Sequence, residues 1–375
     1  MCPKPTCFLF AALSLTLLVA CNAEQDRMGP ATATAAAATS NAATKAPPPA
    51  DPGWTAAVAA DIAALDEAMP GELGVYLRRY GDQAGELDAG GDRAWYLSST
   101  IKVPVAIAVL EKVDAGDLAL AQEVELKATD FVDGAGDMLQ QQAGKRFAIA
   151  TLLEKSLRDS DSTATDMLIR VVGQAELNRR IKAWVGEGFG EITTILQVRY
   201  DAYGALHPDV ARLTNAELLA IRSAGAGEER LQALAKAISV PRGALPAKDL
   251  SEVFEDYYGT GKNSARLDAF GRLLGRLASG ELLSPVSTSL LLDHMRAITT
   301  GSRRLSAGLP PGTDFAQKTG TQIARACNVG ILEPNRGTEG ATLVVACAEG
   351  FEQLPQAERA FEGLGRAIGD AGLAR

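Results

Sequence analysis

The sequence has 375 residues, of which 47% are apolar and 22% charged, and its formal net charge at pH 7 is −9. These values exclude collagen-like and wholly disordered chains, and the acidic excess argues against nucleic-acid binding, because affinity for phosphate comes from clustered lysines and arginines. The chain contains only two histidines, His207 and His294, which disfavours both a histidine-rich metal site and a serine–histidine–aspartate triad.

The N-terminal 20 residues have the pattern of a lipoprotein signal peptide. Their apolar run over 7–20 is too short to span a bilayer of about 30 Å. The run ends in LVAC, which resembles the bacterial lipoprotein cleavage box, in which the cysteine becomes the acylated first residue of the mature chain. Asn22 is typical of sorting to the outer membrane. We therefore expect a lipid anchor at Cys21 on the periplasmic side of the bacterial envelope, with ordinary cleavage after Ala23 as the alternative.

The stretch over 21–53 differs in composition from the rest of the chain. It consists mainly of alanine, threonine, proline, serine and asparagine. Such a segment buries too little apolar surface to offset its ordering entropy, so it is predicted to be a disordered tether. An alanine-rich helix is the weaker alternative, because proline and threonine disfavour it.

From residue 54 onward the sequence predicts regular elements. They are, in chain order, a helix over 55–68, strands over 74–81 and 93–99 that form a hairpin, a helical region to about residue 300, strands over 313–332 and 341–348, and a helix over 354–372. No repeat of fixed period is present. This order predicts one two-lobed α/β domain, in which an antiparallel sheet is flanked by the terminal helices and joined to an all-helical lobe.

Two cysteines lie far from the N-terminus. Cys327 and Cys347 flank a turn-rich segment over 333–340 between two apolar runs. A hairpin centred near residue 337 would place them opposite each other, and an oxidising compartment would permit a disulfide. Two small buried apolar side chains would also fit this pattern, and the sequence leaves both open.

Three short motifs carry the chemistry. Ser99 and Lys102 form an S-x-x-K at the start of an apolar helix, where residues three apart share a face. Ser160-Asp161-Ser162 (SDS) and Lys318-Thr319-Gly320-Thr321 (KTGT) follow further along the chain. Taken singly, the motifs also fit a helix start with a solvated lysine, a polar loop and the beginning of a strand.

In this order the motifs resemble the S-x-x-K, S-D-N and K-T-G set of penicillin-binding proteins and class A β-lactamases. The segments EKVDAGDL, SDSTATDMLI and SGELLSPVS fit the class A order as well, so the resemblance covers about residues 55–373. It implies a serine β-lactamase-like catalytic domain over 54–375, without a metal or organic cofactor. The expected substrate is a small molecule, and the expected state is a monomer.

The resemblance also implies a role for each motif residue. Ser99 would be the nucleophile that forms an acyl-enzyme, and Lys102 would be its base if its pKa falls from about 10.4. Ser160 would relay a proton to the leaving nitrogen. The remaining family positions would bind substrate: Lys318 and Thr319 its carboxylate, Ser162 its amide, and the backbone N–H groups of Ser99 and Thr321 its oxyanion.

The sequence departs from the family at the residues that should bind and deacylate the substrate. Ser162 stands where the family usually has asparagine, so the contact with the substrate amide is altered. Asp201 is the nearest match to the glutamate that activates the deacylating water, but it is one methylene shorter. It would either activate that water or pair with Arg199 to hold the loop. Arg325, near the position of a family carboxylate-binding arginine, is a further candidate substrate contact.

About 60 residues separate Asp201 from Asn263, where a compact class A enzyme would have under about twenty by the family pattern. The extra segment, about 204–262, contains helical stretches joined by glycine and proline. It is predicted to form either a lid near the mouth of the pocket or a packing element without a catalytic part.

Three functions remain open. The leading hypothesis is a β-lactamase that opens β-lactam amides through a Ser99 acyl-enzyme. The alternative is a related acyl-serine amidase, peptidase or penicillin-binding protein that deacylates slowly and acts on a cell-wall peptide. A tethered binding or sensing lipoprotein without turnover is a third possibility, disfavoured by the complete motif set.

Overall fold

The two ends of the globular part of the chain supply one antiparallel sheet. A computed structural model describes residues 53–374, so the predicted signal peptide, Cys21 and all of the predicted tether except Gly53 lie outside the described residues. Within that range, no helix is long and apolar enough to cross a membrane. The strands are β1 Glu72–Arg79, β2 Gly85–Ala89, β3 Ala94–Tyr96, β4 Glu123–Glu125, β5 Arg146–Ala148, β6 Ser264–Arg266, β7 Phe315–Gln322, β8 Arg325–Leu332 and β9 Thr342–Glu349.

The helices fall into two groups, a terminal pair and a larger set between β3 and β7. They are α1 Trp54–Ala68, α2 Lys102–Asp114, α3 Ile149–Arg158, α4 Ser162–Val172, α5 Gln174–Val185, α6 Ile195–Gly204, α7 Asn215–Ser223, α8 Glu228–Ala237, α9 Leu250–Tyr258, α10 Leu267–Ala278, α11 Pro285–Arg296, α12 Leu305–Gly308 and α13 Leu354–Asp370.

The main sheet has five strands in the order β2-β1-β9-β8-β7, and all neighbours are antiparallel. Successive side chains on a strand point to opposite faces. Accordingly, Val75 and Leu77 pack with α1 and α13, whereas Tyr76 packs with α2 and α10. The predicted two-lobed α/β arrangement is therefore confirmed, with helices on both faces of the sheet.

The predicted hairpin of 74–81 with 93–99 is wrong. β1 pairs instead with β2, which begins after a short helical turn, Gly81–Gln83. β2 has the sequence GELDA, and glutamate, aspartate, glycine and alanine are all depleted in strands, so propensity gave no signal for this edge strand. The other predicted partner contains β3, which pairs with β6 in a separate two-stranded sheet.

The predicted strand over 313–332 is two strands, β7 and β8, joined by Ile323 and Ala324. Ala324 adopts a left-handed conformation with φ of 49°. Neither residue is typical of a tight turn, which explains why the sequence reads as continuous. The expected hairpin beyond β8 is present, with Cys327 opposite Cys347, and the two cysteines form a disulfide.

The insertion over about 204–262 contains α7, α8 and α9, and these helices have a hydrophobic cluster of their own. Leu234 and Phe254 are buried in it together with Tyr96 and Val198 of the surrounding domain. The insertion is therefore a packed element fixed against the rest of the chain, and its position beside the catalytic cleft is described below.

Candidate active site

Ser99 lies in a short helical turn, Ser98–Ile101, that joins β3 to α2. It is half-buried and lines a cleft of about 180 Å³. Ser98 has a positive φ of 49°, a conformation that costs a non-glycine residue of order 1–3 kcal/mol and is typical of functional sites. Gly320 of β7 packs directly on this turn, because a Cβ there would lie only 2.8 Å from the backbone nitrogen of Ser99. The KTGT strand and the nucleophile are thus held in contact.

Lys102 is the first residue of α2 and is completely buried. Its Nζ donates hydrogen bonds to the backbone oxygen of Ser160 and, over 3.2 Å, to the Ser160 hydroxyl. Burial lowers the pKa of Lys102 to about 7, although the carboxylates of Asp161 and Asp166 oppose this. Lys102 can therefore exist as a neutral amine near neutral pH, as a general base must.

Ser160 joins the lysines of the first and third motifs. Its hydroxyl accepts hydrogen bonds from Lys102 and, over 3.0 Å, from Nζ of Lys318. Burial and the charges of Lys102 and Arg304 hold the pKa of Lys318 well below its ordinary value. A hydroxyl between two such amines can pass protons between the cleft and Lys102.

The turn that carries Ser160 is fixed by Asp161. One oxygen of this carboxylate accepts a hydrogen bond from the backbone N–H of Ala164 over 2.8 Å and caps α4. The other oxygen accepts from the backbone N–H of Met138 over 2.9 Å. Asp161 therefore positions the motif and does not face the substrate.

Side chains of β7 line the side of the cleft opposite Ser160. The hydroxyl of Thr319 lies 2.6 Å from that of Thr300, and both residues line the cleft. The hydroxyl of Thr321 accepts from Arg304, whose Nη1 also donates to the backbone oxygen of Gly320 over 2.8 Å. Burial lowers the pKa of Arg304 to about 10. The sequence analysis missed Thr300 and Arg304, because only the fold brings their loop beneath β7.

Ser162, which stands where the family usually has asparagine, is in close contact with the loop over 133–135. It is buried, lines the cleft and begins α4. A Cβ on Gly134 would lie 2.1 Å from its hydroxyl, and its backbone N–H donates to Ala135 over 3.2 Å. The Ser162 hydroxyl therefore packs directly against the backbone of Gly134, where any side chain at residue 134 would collide with it.

The structure does not bring Asp201 into the cleft. α6 presents Ile195, Val198 and Arg199 there, and a residue two positions further along a helix points about 200° away from Arg199. Asp201 instead accepts hydrogen bonds from Gln197 over 2.7 Å and from Lys262 over 2.8 Å.

The predicted pairing of Asp201 with Arg199 is wrong as well. Arg199 forms a two-pronged ion pair with Asp133, with distances of 2.7 and 3.1 Å. Asp133 is also the only carboxylate among residues 53–374 that lines the cleft. Burial alone would raise the pKa of Asp133, but Arg199, Arg222 and Arg230 outweigh it and hold that pKa below its ordinary value. A carboxylate held in this way is a weak base.

Arg325 also lies outside the cleft lining. It begins β8, pairs with Glu255 of α9 over 2.6 Å and with Glu349 over 3.3 Å, and stacks on the ring of Tyr258 at 4.5 Å. These contacts attach α9 to the edge of the sheet. Arg325 therefore holds the insertion in place.

Asn263 is a further cleft residue that the sequence analysis did not single out. It is buried, has a positive φ of 52°, and its amide group donates to Thr193 over 2.8 Å and to Tyr257 over 3.0 Å. Its backbone oxygen accepts from the backbone N–H of Leu97, close to Ser99.

The described part of the chain contains no group of three or more histidine, cysteine, aspartate or glutamate side chains that could hold a metal ion.

Comparison with known proteins places this geometry in context. Residues 57–371 match the sequence model of the Beta-lactamase enzyme family. Beta-lactamase VEB-1 of Pseudomonas aeruginosa is 24% identical over 66% of this chain and 68% of its own length, and a beta-lactamase of Mycobacterium tuberculosis is 24% identical over 79% and 80%. The solved structure of a PBP-A mutant, an acyl-enzyme complex with penicillin G, is 21% identical with a TM-score of 0.63 and covers 85% of this chain and 96% of its own.

Proposed function

The chain belongs to the Beta-lactamase enzyme family, and from this we propose that it is a serine hydrolase whose Ser99 is acylated by β-lactams and then deacylates slowly. The observation that carries the proposal is the meeting of Lys102 and Lys318 at the hydroxyl of Ser160, beside Ser99 in one cleft.

Acylation forms a bond between the Ser99 oxygen and the lactam carbonyl carbon and breaks the carbon–nitrogen bond of the ring. Lys102, as a neutral amine, takes the proton of Ser99. The Ser160 hydroxyl then passes a proton to the leaving nitrogen. The backbone N–H groups of Ser99 and Thr321 stabilise the charge that develops on the carbonyl oxygen. Each of these groups therefore acts on one proton or one charge of the reaction.

The carboxylate of the substrate is assigned to the end of the cleft that Thr300 and Thr319 line. Their hydroxyls supply hydrogen bonds, while Arg304, whose pKa of about 10 keeps it protonated at neutral pH, supplies positive charge from behind β7. Charge-assisted hydrogen bonds of this kind are roughly twice as strong as neutral ones. Specific binding therefore precedes acylation.

Slow deacylation is inferred from α6. Its cleft-lining residues are Ile195, Val198 and Arg199, while Asp201 is paired with Lys262. Activation of water by a general base contributes about 10²–10⁴-fold in rate, and α6 offers no carboxylate for this step. The acyl-enzyme should then persist, as expected for a penicillin-binding protein with a cell-wall peptide substrate.

Mass spectrometry of the intact protein after mixing with benzylpenicillin tests the proposal. We expect one penicilloyl group per molecule, attached to Ser99 and retained for minutes or longer. The Ser99→Ala variant should gain no mass, while Ser306→Ala, a control on α12 outside the cleft lining, should behave like the unmodified protein. Absence of the adduct together with absence of hydrolysis would rule the proposal out.

A second candidate is a β-lactamase with rapid turnover. It is supported by the names of the relatives and by the pKa of Lys102 at about 7, which would let that amine activate a water after acylation. Steady-state hydrolysis of a chromogenic cephalosporin separates the two candidates. Many turnovers per molecule within minutes would favour the β-lactamase, whereas a single burst would favour slow deacylation.

A further inference from the structure

A second groove opens beside the catalytic cleft, between the loop over 133–135, β7 and the insertion. Its volume is about 750 Å³, and it shares with the cleft the residues Asp133, Gly134, Arg199, Thr321 and Gln322. Its outer wall is formed by residues of α7, α8 and α9. The groove and the cleft are therefore continuous, and the insertion supplies a surface that extends the catalytic site.

The groove carries more positive than negative charge. Arg199, Arg222 and Arg230 line it, against the carboxylates of Asp133 and Asp249. Asp249 is already engaged as the cap of α9, where it accepts from the backbone N–H of Glu252 over 3.0 Å. Asp133 is shared, because Arg222 approaches it to 3.5 Å in addition to Arg199. Three arginines against two carboxylates leave one positive charge to be balanced.

Arg199 also has an unused donor. Its side chain is only 10% exposed, and among residues 53–374 nothing accepts a hydrogen bond from its Nη1. A buried guanidinium N–H without an acceptor is unfavourable, so such a donor is suited to an anionic ligand that enters the groove. Because Arg199 lines both the cleft and the groove, the ligand it would bind lies at their junction.

The direction of the substrate in the cleft follows from β7. The carboxylate end is at Thr319, the carbonyl is at the backbone N–H of Thr321, and Gln322 is the next residue toward the groove. At about 3.3 Å per residue, Thr319 and Gln322 are about 10 Å apart along the strand. The part of the substrate on the far side of the carbonyl, its acyl side chain, therefore points into the groove.

We propose that this groove binds an anionic acyl side chain, so that the preferred acyl donors carry a carboxylate at the far end of the acyl group. The inference rests on the proposed function and names the substrate class of the same site. Arg199, which lines the junction of cleft and groove, and Arg222, which is half-exposed, attract that carboxylate by their positive charge.

The test uses two cephalosporins that differ only in the acyl group on the ring amine, glutaryl against pentanoyl. The second-order rate constant for acylation of Ser99 is measured for both with the full chain at low salt. We expect the glutaryl compound to react at least about tenfold faster, since one charge-assisted contact is worth about this factor. We expect this ratio to shrink in about 0.5 M NaCl, because salt screens half-exposed charges.

Variants then locate the effect. Arg222→Glu should lower the glutaryl-to-pentanoyl ratio at least about tenfold, since it reverses a charge beside the ligand. Arg199→Gln should lower it as well, with thermal denaturation used to verify folding. Arg212→Ala removes an exposed arginine of the same insertion that lines neither the cleft nor the groove, and it should leave both rate constants unchanged.

Equal rate constants for the two cephalosporins would overturn the inference while leaving the proposed function intact. So would a ratio that neither Arg222→Glu nor Arg199→Gln alters. If neither cephalosporin acylates Ser99 while benzylpenicillin does, this inference fails alone; if benzylpenicillin also fails to react, the proposed function fails with it.

Discussion

We expect Lys102 to set the pH dependence of acylation. Burial lowers its pKa to about 7, and only the neutral amine can take the proton of Ser99. The rate constant for acylation should therefore rise with pH, about tenfold per pH unit below 7, and level off above about pH 8. Acylation by benzylpenicillin, followed by mass spectrometry between about pH 5.5 and 9, measures this profile.

The control for this profile is Lys102→Ala, which should lower the plateau by at least about a hundredfold and remove the inflection near pH 7. A rate constant that is flat between about pH 5.5 and 8 in the unmodified protein would show that Lys102 is not the base. An unchanged inflection in the alanine variant would assign the titration to another group.

For Asp201, in contrast to Lys102, we predict that substitution has almost no effect on the reaction. Its carboxylate is paired with Lys262 over 2.8 Å and lies outside the cleft lining. Asp201→Asn should therefore change the rate of loss of the penicilloyl group less than about twofold. Its effect on the free energy of unfolding should be at most about 1 kcal/mol, because partly exposed ion pairs contribute little. A tenfold slower deacylation would restore Asp201 as the residue that activates water.

At the scale of single elements, the disulfide joins β8 to β9 through residues 20 positions apart. Closing a loop of this length removes conformational entropy from the unfolded chain, which corresponds to about 3 kcal/mol. We predict that the reduced protein has a free energy of unfolding lower by about this amount, as measured by urea denaturation with and without reductant.

A protein in which both Cys327 and Cys347 are replaced by alanine serves as the control. It should unfold at the same urea concentration with and without reductant, because it has no cross-link to lose. If the unmodified protein also gave coincident curves with fully reduced thiols, the cross-link would contribute nothing to stability.

Elements with strong local signals could be predicted from the sequence. α1 and α13 have helical spacing of their apolar residues, and β9 is an apolar run next to a turn-rich segment. β2 could not be predicted, because an edge strand of polar residues is specified by its partner and not by its own propensity. The turn at Ala324 could not be located either, since its left-handed conformation is imposed by the pairing of β7 with β8.

In the candidate site, too, residues with a local sequence signal could be predicted, whereas residues brought in by tertiary packing could not. Residues inside the motifs, such as Lys102 and Lys318, could be identified because the motif order is specific. Arg304 and Asp133 belong to no motif, and only tertiary packing brings Arg304 behind β7 and Asp133 to the cleft. Asp201 shows the converse error, because spacing along the chain placed it on a loop that activates water, whereas it lies on α6 and outside the cleft lining.

At the scale of the whole molecule, the groups that we propose to be catalytic come from both lobes. Lys102 and Ser160 belong to the helical lobe, whereas Lys318 belongs to the sheet, and their side chains meet in the buried region between the lobes. The lowered pKa values of both lysines depend on this burial. The folded domain as a whole therefore lowers the pKa of the proposed base, and the motif residues in an unfolded chain would have ordinary pKa values.

The remaining prediction concerns where this domain resides in the cell. The LVAC sequence ending at Cys21, which lies outside the described residues, predicts acylation of that cysteine. In the bacterium that expresses the full chain, Cys21→Ser should abolish labelling by radioactive palmitate and move the protein from the membrane to the soluble periplasmic fraction. Labelling of Ser99 by penicillin should persist, because the residues of the cleft all lie beyond residue 95.

Cys7→Ser, a substitution within the apolar run of the predicted signal peptide, is the matched control and should leave both palmitate labelling and membrane association intact. Membrane association that survives Cys21→Ser would contradict the lipid anchor and favour ordinary cleavage after Ala23 with attachment by another route.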